Sequence, residues 1–430
     1  MSLSWRPAAL MAFGIVPAMI ANSWLAVIGW ALLVVGVCAV DLMLAASPRQ
    51  LVFTRTVPFQ VRLSQTTSST VRVRNESKRT ANGIIKDSWA PSAGAQANVH
   101  RVSIPGGKAR SFQTVLEPTR RGERTAQFIT ARLFGPLGFA ARQYTFNALS
   151  TLRVLPEFKT RKHLPSRIAR LRELEGQSAV QLRGAGTEFD SLRQYVEGDD
   201  VRSIDWRATA RAREVTVRTW RPERDRHVVI VIDSSRTSAP RINDEPRLDS
   251  FIESALLLGA LASRAGDRVE IIAFDRKVRA RLSSSAPQTI IHEMGVALAD
   301  LEPQLLETDW DALGALLRGV VKQRSLVVFL TNSSFVQADV GILSTIGSLA
   351  KRNVVVTASV SDPEIQEIST HRENSIEVFE AAAAQRALLD ERAGAQYLSR
   401  SGVVVLQELP LELAPRLSDT YLELKAAGQL

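Results

Sequence analysis

The 430-residue chain has a single cysteine, Cys38, which excludes a disulfide within the chain and any cysteine-based metal site, and which suits a reducing cytoplasm. Its five histidines, His100, His163, His227, His292 and His371, are scattered without ligand spacing. There is no G-x-x-x-x-G-K-[ST], no G-x-S-x-G and no H-E-x-x-H. Gly184-Ala185-Gly186 lacks the third glycine and the preceding strand of a dinucleotide fingerprint. A nucleophile, a base or a phosphate cradle in workable order is thus missing, and the chain reads as no enzyme. Aromatic residues are sparse at 6%, and the eight arginines between Arg202 and Arg226 are interleaved with four acids. With no recognisable nucleic-acid-binding fold, that pattern argues against nucleic acid as a partner.

Charge is also missing from one long stretch. From Pro7 to Val40 no residue is charged, and the apolar character continues past Asp41 to Ala46 before Pro48 and Arg49 end it. A bilayer core of roughly 30 Å takes about 20 helical residues. The stretch therefore divides into spans of about 7–21 and 24–46, with Asn22-Ser23 as the turn, making residues 1–50 a transmembrane helical hairpin. Arg6 before it and Arg49 and Arg55 after it place both flanks in the cytoplasm by the positive-inside rule. The expected location is a bacterial inner or plasma membrane, multi-pass, with the soluble domains facing the cytoplasm. Two alternatives stay open: a secretory signal peptide, for which the apolar run is long, and a single span, if Pro17 breaks the first half. Asp41 reads as a boundary residue near the cytoplasmic end of the second helix.

The net charge is +10, of which the first 50 residues supply only about one unit, so the soluble part is basic and membrane lipid headgroups are its first expected partner. Residues 51–155 alternate in short runs such as Thr70-Val71-Arg72-Val73-Arg74, separated by turn clusters such as Pro105-Gly106-Gly107. This predicts a small β-sandwich. Arg120-Arg121-Gly122 and Gly135-Pro136-Leu137-Gly138 read as turns within it.

Residues 156–225 follow as a basic connector and a dense signature. Ile168, Leu171 and Leu174 have helix spacing. Asp199, Asp200 and Asp205 alternate with Arg202, Arg207 and Arg211 around Trp206, a set that reads either as a structural charge network locking the segment onto the next domain or as a partner-binding surface.

Residues 226–430 alternate strands and helices. His227-Val228-Val229-Ile230-Val231-Ile232 is a continuous apolar run ending at Asp233, as in a parallel strand buried on both faces. Further strands are expected at Arg268–Phe274, Ser325–Leu330, Val354–Val360 and Val403–Gln407, giving a doubly wound α/β sheet. Ligands of such sheets bind beyond the carboxyl ends of the strands, where Asp233-Ser234-Ser235-Arg236-Thr237 stands.

The order Gly184, Gly186, Glu188-Phe189, Arg193, Tyr195, Gly198-Asp199-Asp200, Arg202, Ile204-Asp205-Trp206, Ala208, Ala210-Arg211 resembles the bacterial proteins grouped as "domain of unknown function 58". The resemblance extends to the apolar hairpin, the R-R-G and G-P-L-G turns and the last domain. It implies a von Willebrand factor A-like fold for that domain and a MoxR-type AAA+ ATPase as partner. In A-domain folds the loop after the first strand carries D-x-S-x-S or D-x-S-x-T, and Asp233, Ser235 and Thr237 match it. The resemblance adds Thr308 from a later loop and puts Asn332 where an aspartate is expected. The implied metal-ion-dependent adhesion site is therefore degenerate, a hard-oxygen set suited to Mg2+ with one negative charge lost. The function expected is a membrane-tethered, non-catalytic interaction or adaptor protein, working with that ATPase in the assembly or remodelling of protein complexes. The alternative is a metal-dependent hydrolase using the Asp233 cluster, with Asp275, Asp309 or Asp311 as base.

Overall fold

A computed structural model describes residues 2–21, 23–181, 188–221, 226–242, 245–284, 286–332 and 340–430. It is a mixed α/β structure with several sheets, and the chain divides into two units, Met1–Glu157 and Phe158–Leu430. The Arg183–Thr187 part of the signature lies outside the described residues.

The first unit opens with β1 (Ser2–Leu3), α1 (Arg6–Phe13), α2 (Ile15–Ala21) and α3 (Trp24–Leu44). Ser23 caps α3, its hydroxyl accepting from the Leu25 N–H at 3.2 Å. Among the described residues this one helix is long and apolar enough to cross a membrane, with a mean hydropathy of 2.4. At ~1.5 Å per residue, Trp24–Leu44 measures about 31 Å and Arg6–Ala21 about 24 Å. Both α1 and α2 pack on α3. The Trp30 indole donates to the Leu10 carbonyl at 3.0 Å. A Cβ at Gly14 would lie 2.0 Å from that ring, so only glycine admits the close approach.

The rest of the unit is all β: β2 (Leu51–Thr56), β3 (Gln60–Arg62), β4 (Thr67–Asn75), β5 (Ala81–Ser88), β6 (Ala95–Gln96), β7 (Val99–Ile104), β8 (Ala109–Leu116), β9 (Gly122–Phe134) and β10 (Ala140–Leu155). One sheet has the order β1-β10-β9-β5-β7, with β3 parallel to β10, and the other β2-β4-β8-β6. Alternation gives each sheet one dry face. Val71 and Val73 are buried while Arg72 and Arg74 are exposed, and the valines meet Ile85, Ile104, Ile129 and Leu133 of the other sheet.

Two charged residues sit differently from their expected boundary roles. Asp41 is 0% exposed. Its Oδ1 accepts from the Leu137 N–H at 2.8 Å and its Oδ2 from the Phe139 and Ala140 N–H groups at 2.7 and 3.0 Å. The carboxylate is thus solvated by the turn between β9 and β10 rather than by water. A Cβ at Gly135 would lie 2.3 Å from the Asp41 oxygens, which accounts for the first glycine of G-P-L-G. Ser4 Oγ and Arg6 Nη1 donate to the Gly138 and Leu137 carbonyls of the same turn, and Leu3 pairs with Ala140. Both ends of the helical segment therefore meet on one turn. Arg55 is buried too, pairing with Asp87 at 2.6 Å, with both side chains at most 1% exposed. Ser69 and Trp89 donate to the other Asp87 oxygen. Its charge belongs to the sandwich core and adds nothing to the flanking positive charge.

Asp41→Ala strands three N–H groups, each worth ~1–3 kcal/mol when buried and unpaired. We expect a loss of about 3 kcal/mol or more in the stability of this unit, read as a lower thermal midpoint and faster proteolysis at residues 135–140.

The second unit begins with α4 (Leu164–Gln181), β11 (Glu188–Gln194), α5 (Trp206–Ala212) and β12 (Thr216–Arg221). It continues with β13 (His227–Asp233), β14 (Arg241–Ile242), β15 (Glu245–Pro246), α6 (Arg247–Arg264), β16 (Arg268–Phe274), β17 (Val278–Ser284), α7 (Ile290–Ala299), α8 (Trp310–Val320) and β18 (Leu326–Leu330). The last elements are α9 (Val340–Ala350), β19 (Val354–Val360), α10 (Pro363–Ile368), α11 (Ser375–Arg400), β20 (Val404–Glu408) and α12 (Pro410–Ala426). The main sheet has the order β17-β16-β13-β18-β19-β20, parallel except for β17, an antiparallel edge strand. Val228, Ile230 and Ile232 of β13 point into a core shared with α6, α7 and α12. Val229 and Val231 point the other way, into a core shared with α8, α9 and α11. That two-sided burial is why β13 has no polar alternation.

From Phe158 on, the stretch expected as a connector is part of this unit. Its helical stripe buries Leu164 and Leu171 in the α6 core, and Arg167 pairs with Asp419 of α12 at 2.7 Å. An apolar stripe this wide has to be covered, and α6 and α12 cover it.

Candidate functional site

The parallel sheet brings three loops together at the carboxyl end of β13. Asp233 ends that strand and is 4% exposed. Its Oδ1 accepts from the Ser235 N–H at 3.0 Å and from Thr308 Oγ1 at 2.8 Å. Its Oδ2 accepts from Thr237 Oγ1 at 2.8 Å and from Thr331 Oγ1 at 2.7 Å. Ser235 Oγ and Thr237 Oγ1 lie 3.1 Å apart. Residues from three separate segments thus converge on one carboxylate. Thr308 arrives because the loop before α8 is tied down, Gln304 N–H donating to the Ser234 carbonyl at 2.8 Å and Asp309 N–H to the Asp275 carbonyl at 2.9 Å.

Four of the five expected ligands, Asp233, Ser235, Thr237 and Thr308, are brought together. Asn332 is buried just after β18, and Thr331, one residue earlier, is a donor to Asp233 that the sequence did not single out. The loop 333–339 lies outside the described residues.

The side-chain atoms of Asp233, Thr237, Thr308 and Thr331 at this site are oxygens and therefore hard, as a magnesium-type cation requires, and among these the Asp233 carboxylate is the one that carries a formal charge. Among the described residues no group of three or more His, Cys, Asp or Glu is arranged to hold a metal. Asp275, 0% exposed, is fully engaged: Oδ1 accepts from the Arg276 and Lys277 N–H groups and Oδ2 from Arg279 Nε at 2.6 Å. Burial pushes its carboxyl up, but the Arg279 guanidinium and the two N–H groups outweigh that and hold it below the ordinary range. Asp309 caps α8 through the Ala312 N–H at 2.9 Å, and Asp311 is exposed in its first turn.

The signature segment forms a small module of its own, β11 paired antiparallel with β12 and α5 between them. Its acids do not pair with Arg202, Arg207 and Arg211 as expected. Asp199 pairs with Arg193 at 2.6 Å and accepts from the Val196 N–H at 2.9 Å. Asp200 accepts from the Arg202 N–H at 2.9 Å. Asp205 caps α5, accepting from the Arg207 and Ala208 N–H groups at 2.9 and 3.0 Å, and pairs with Arg218 at 2.8 Å. These bonds all fall inside the module, because short acidic side chains beside a helix start reach backbone donors before they reach a distant guanidinium. Trp206 is 68% exposed.

Residues 191–391 match the family model described as protein of unknown function DUF58. The matched region runs from β11 to within α11 and includes the whole Asp233 site. Uncharacterized proteins of Mycobacterium bovis and Mycobacterium tuberculosis are 24% identical over 197 residues, 45% of this chain. The match spans 61% of those relatives' length. Among solved structures, BatB, a conserved hypothetical protein from Bacteroides thetaiotaomicron, is 14% identical, with 47% of this chain and 99% of that one covered at a TM-score of 0.30. A score that low does not bear on the architecture.

Thr331→Val removes one hydroxyl from Asp233 and is expected to cost about 1–2 kcal/mol, whereas Asp233→Ala, which orphans several donors at once, costs more. Denaturant unfolding of the two variants checks that order. In the module, the Arg193 side chain and the Val196 N–H hold the Asp199 carboxyl below its ordinary value, and the Ala208 N–H and Arg218 do the same for Asp205. A depressed folded pKa stabilises above the unfolded value and the effect is lost as pH falls through the folded one. Exchange protection of the Val196 and Ala208 amides should therefore persist above about pH 5 and fall away progressively below about pH 4.

Proposed function

We propose that the chain is a membrane-tethered interaction protein whose von Willebrand factor A-like domain offers the Asp233 loop to a protein partner. The observation that carries this reading is the convergence of Ser235, Thr237, Thr308 and Thr331 on Asp233 at the carboxyl end of a mostly parallel sheet. Asp233 and these hydroxyls would hold a divalent cation of the Mg2+ kind. A bound cation supplies a positive centre with open positions that a partner carboxylate completes, which suits a site with one carboxylate of its own. The MoxR-type AAA+ ATPase implied by the resemblance is the partner we propose, in work on assembling or remodelling protein complexes.

Two features support a membrane hairpin on the cytoplasmic side. The apolar residues of α3 are exposed, Trp24, Leu25, Leu32 and Val35 among them. The start of α1 and the end of α3 meet on one β-turn, so a chain that leaves through α3 has its beginning on the same side. With Arg55 withdrawn into the sandwich, Arg6 and Arg49 carry the charge argument for the cytoplasmic face. The hydrolase alternative is less well supported: both Asp275 oxygens are engaged and Asp309 caps a helix, which leaves it Asp311, exposed in the first turn of α8, as a base.

Affinity capture of the full chain from membranes in Mg2+ tests the proposal. The expected result is an AAA+ ATPase that is lost with EDTA and reduced at least tenfold, about 1.4 kcal/mol, by Asp233→Ala. Binding that ignores both changes overturns the reading.

A further inference from the structure

Two exposed patches on the second unit have opposite charge, and each has an apolar centre. The first is on the signature module. From Val201 to Arg213 the chain has four arginines and a single acid, Asp205, which is already committed to the α5 cap and Arg218. Trp206 at the start of α5 is 68% exposed and Val201 63%. Arg207 and Arg211, one turn apart on α5, are exposed, and no carboxylate among the described residues pairs with them. Tryptophan with arginine is the pairing most enriched at the energetic centres of protein interfaces.

The second patch is the corner where α10 turns into α11. From Asp362 to Glu380 there are six acids and one arginine, Arg372. Ile376 is 69% exposed and Phe379 78%. Glu377 is held by the Asn374 amide and the Glu373 N–H at 2.6 and 2.8 Å, which fixes the corner, while Glu373 and Glu380 stay exposed.

We propose that these two surfaces bind each other between copies of this chain, the Trp206 face of one copy on the Phe379 corner of the next. The two patches are complementary in charge: one face presents arginines around a tryptophan, the other glutamates around a phenylalanine. Trp206 and Phe379 are both exposed within one chain, so they do not cover each other there. Used head to tail, the contact repeats into a ring or an open row of copies, and used reciprocally about a two-fold axis it makes a dimer with two such contacts. It involves no residue of the Asp233 site and does not depend on the reading of that site.

The test uses the full chain purified in detergent, with assembly size measured by sedimentation velocity at low and high salt. The wild type should form assemblies of two or more copies that shrink as salt screens the exposed charges. Arg207→Glu with Arg211→Glu, and separately Glu373→Arg with Glu380→Arg, should each weaken association roughly tenfold or more. An equimolar mixture of the two should recover it, because every facing pair of patches is then again opposite in sign. Circular dichroism confirms that the variants are folded, and Trp206→Ala, which changes no charge, should also weaken association. A wild type that stays single at all concentrations, reversals that assemble like wild type, or a mixture that fails to recover overturns the proposal. So does loss of binding to anionic phosphatidylglycerol vesicles by the Arg207/Arg211 variant with self-association unchanged, since the arginines would then serve a lipid surface.

Discussion

A carboxylate taken out of water must be solvated by something else, and both units are organised around that demand. Isolated burial of a charge is prohibitive, whereas three or four short hydrogen bonds make it tolerable. Asp41 obtains its donors from the N–H groups of a turn 96 or more residues away in sequence. Asp87 takes Arg55, Ser69 and Trp89. Asp233 takes one N–H and three threonine hydroxyls, and Asp275 an arginine and two N–H groups. Asp41, Asp233 and Asp275 fix loops and turns that have no ladder to hold them, while Asp87 ties β5 to β2 and β4 across the sandwich.

How such a site relates to chemistry depends on what its oxygens are already doing. Asp275 and Asp233 lie on adjacent strand ends, yet only Asp233 is surrounded by neutral hydroxyls, which can give up their hydrogen bonds and turn lone pairs toward a cation. Asp275 faces a guanidinium, which cannot make that exchange. The difference in neighbours, rather than in the aspartates themselves, separates a loop suited to reversible engagement from one suited to permanent support.

The parts of the fold that were legible in the sequence are those set by local pattern. A six-residue apolar run ending in aspartate announces a strand buried on both faces, and Thr70 to Arg74 announces one buried on a single face. Asp233, Ser235 and Thr237 share one loop, and the resemblance to A-domain folds singled them out. Other parts were hidden because sequence distance carries no register. Leu164 and Leu171 showed helical periodicity but not which core they enter. The arginine partners of Asp199 and Asp205 were set by hairpin geometry that places Arg193 and Arg218 nearby. Thr331 joins Asp233 from the end of β18, a contact that no local pattern marks. The edge strand β17 alternates weakly, as a strand with one open side does, and α12 contains Pro415, which obscures a helix that nevertheless buries Tyr421.

The pairing of Leu3 with Ala140 sets an order of events as well as a position. During synthesis Leu3 leaves the ribosome well ahead of its strand partner, which is among the last residues of the first unit to emerge. At ~5–20 residues per second that is an interval of roughly 7–30 s. Until that partner emerges the turn that receives Asp41 is missing as well, so Leu3 and Asp41 gain their partners together, late in the synthesis of the first unit.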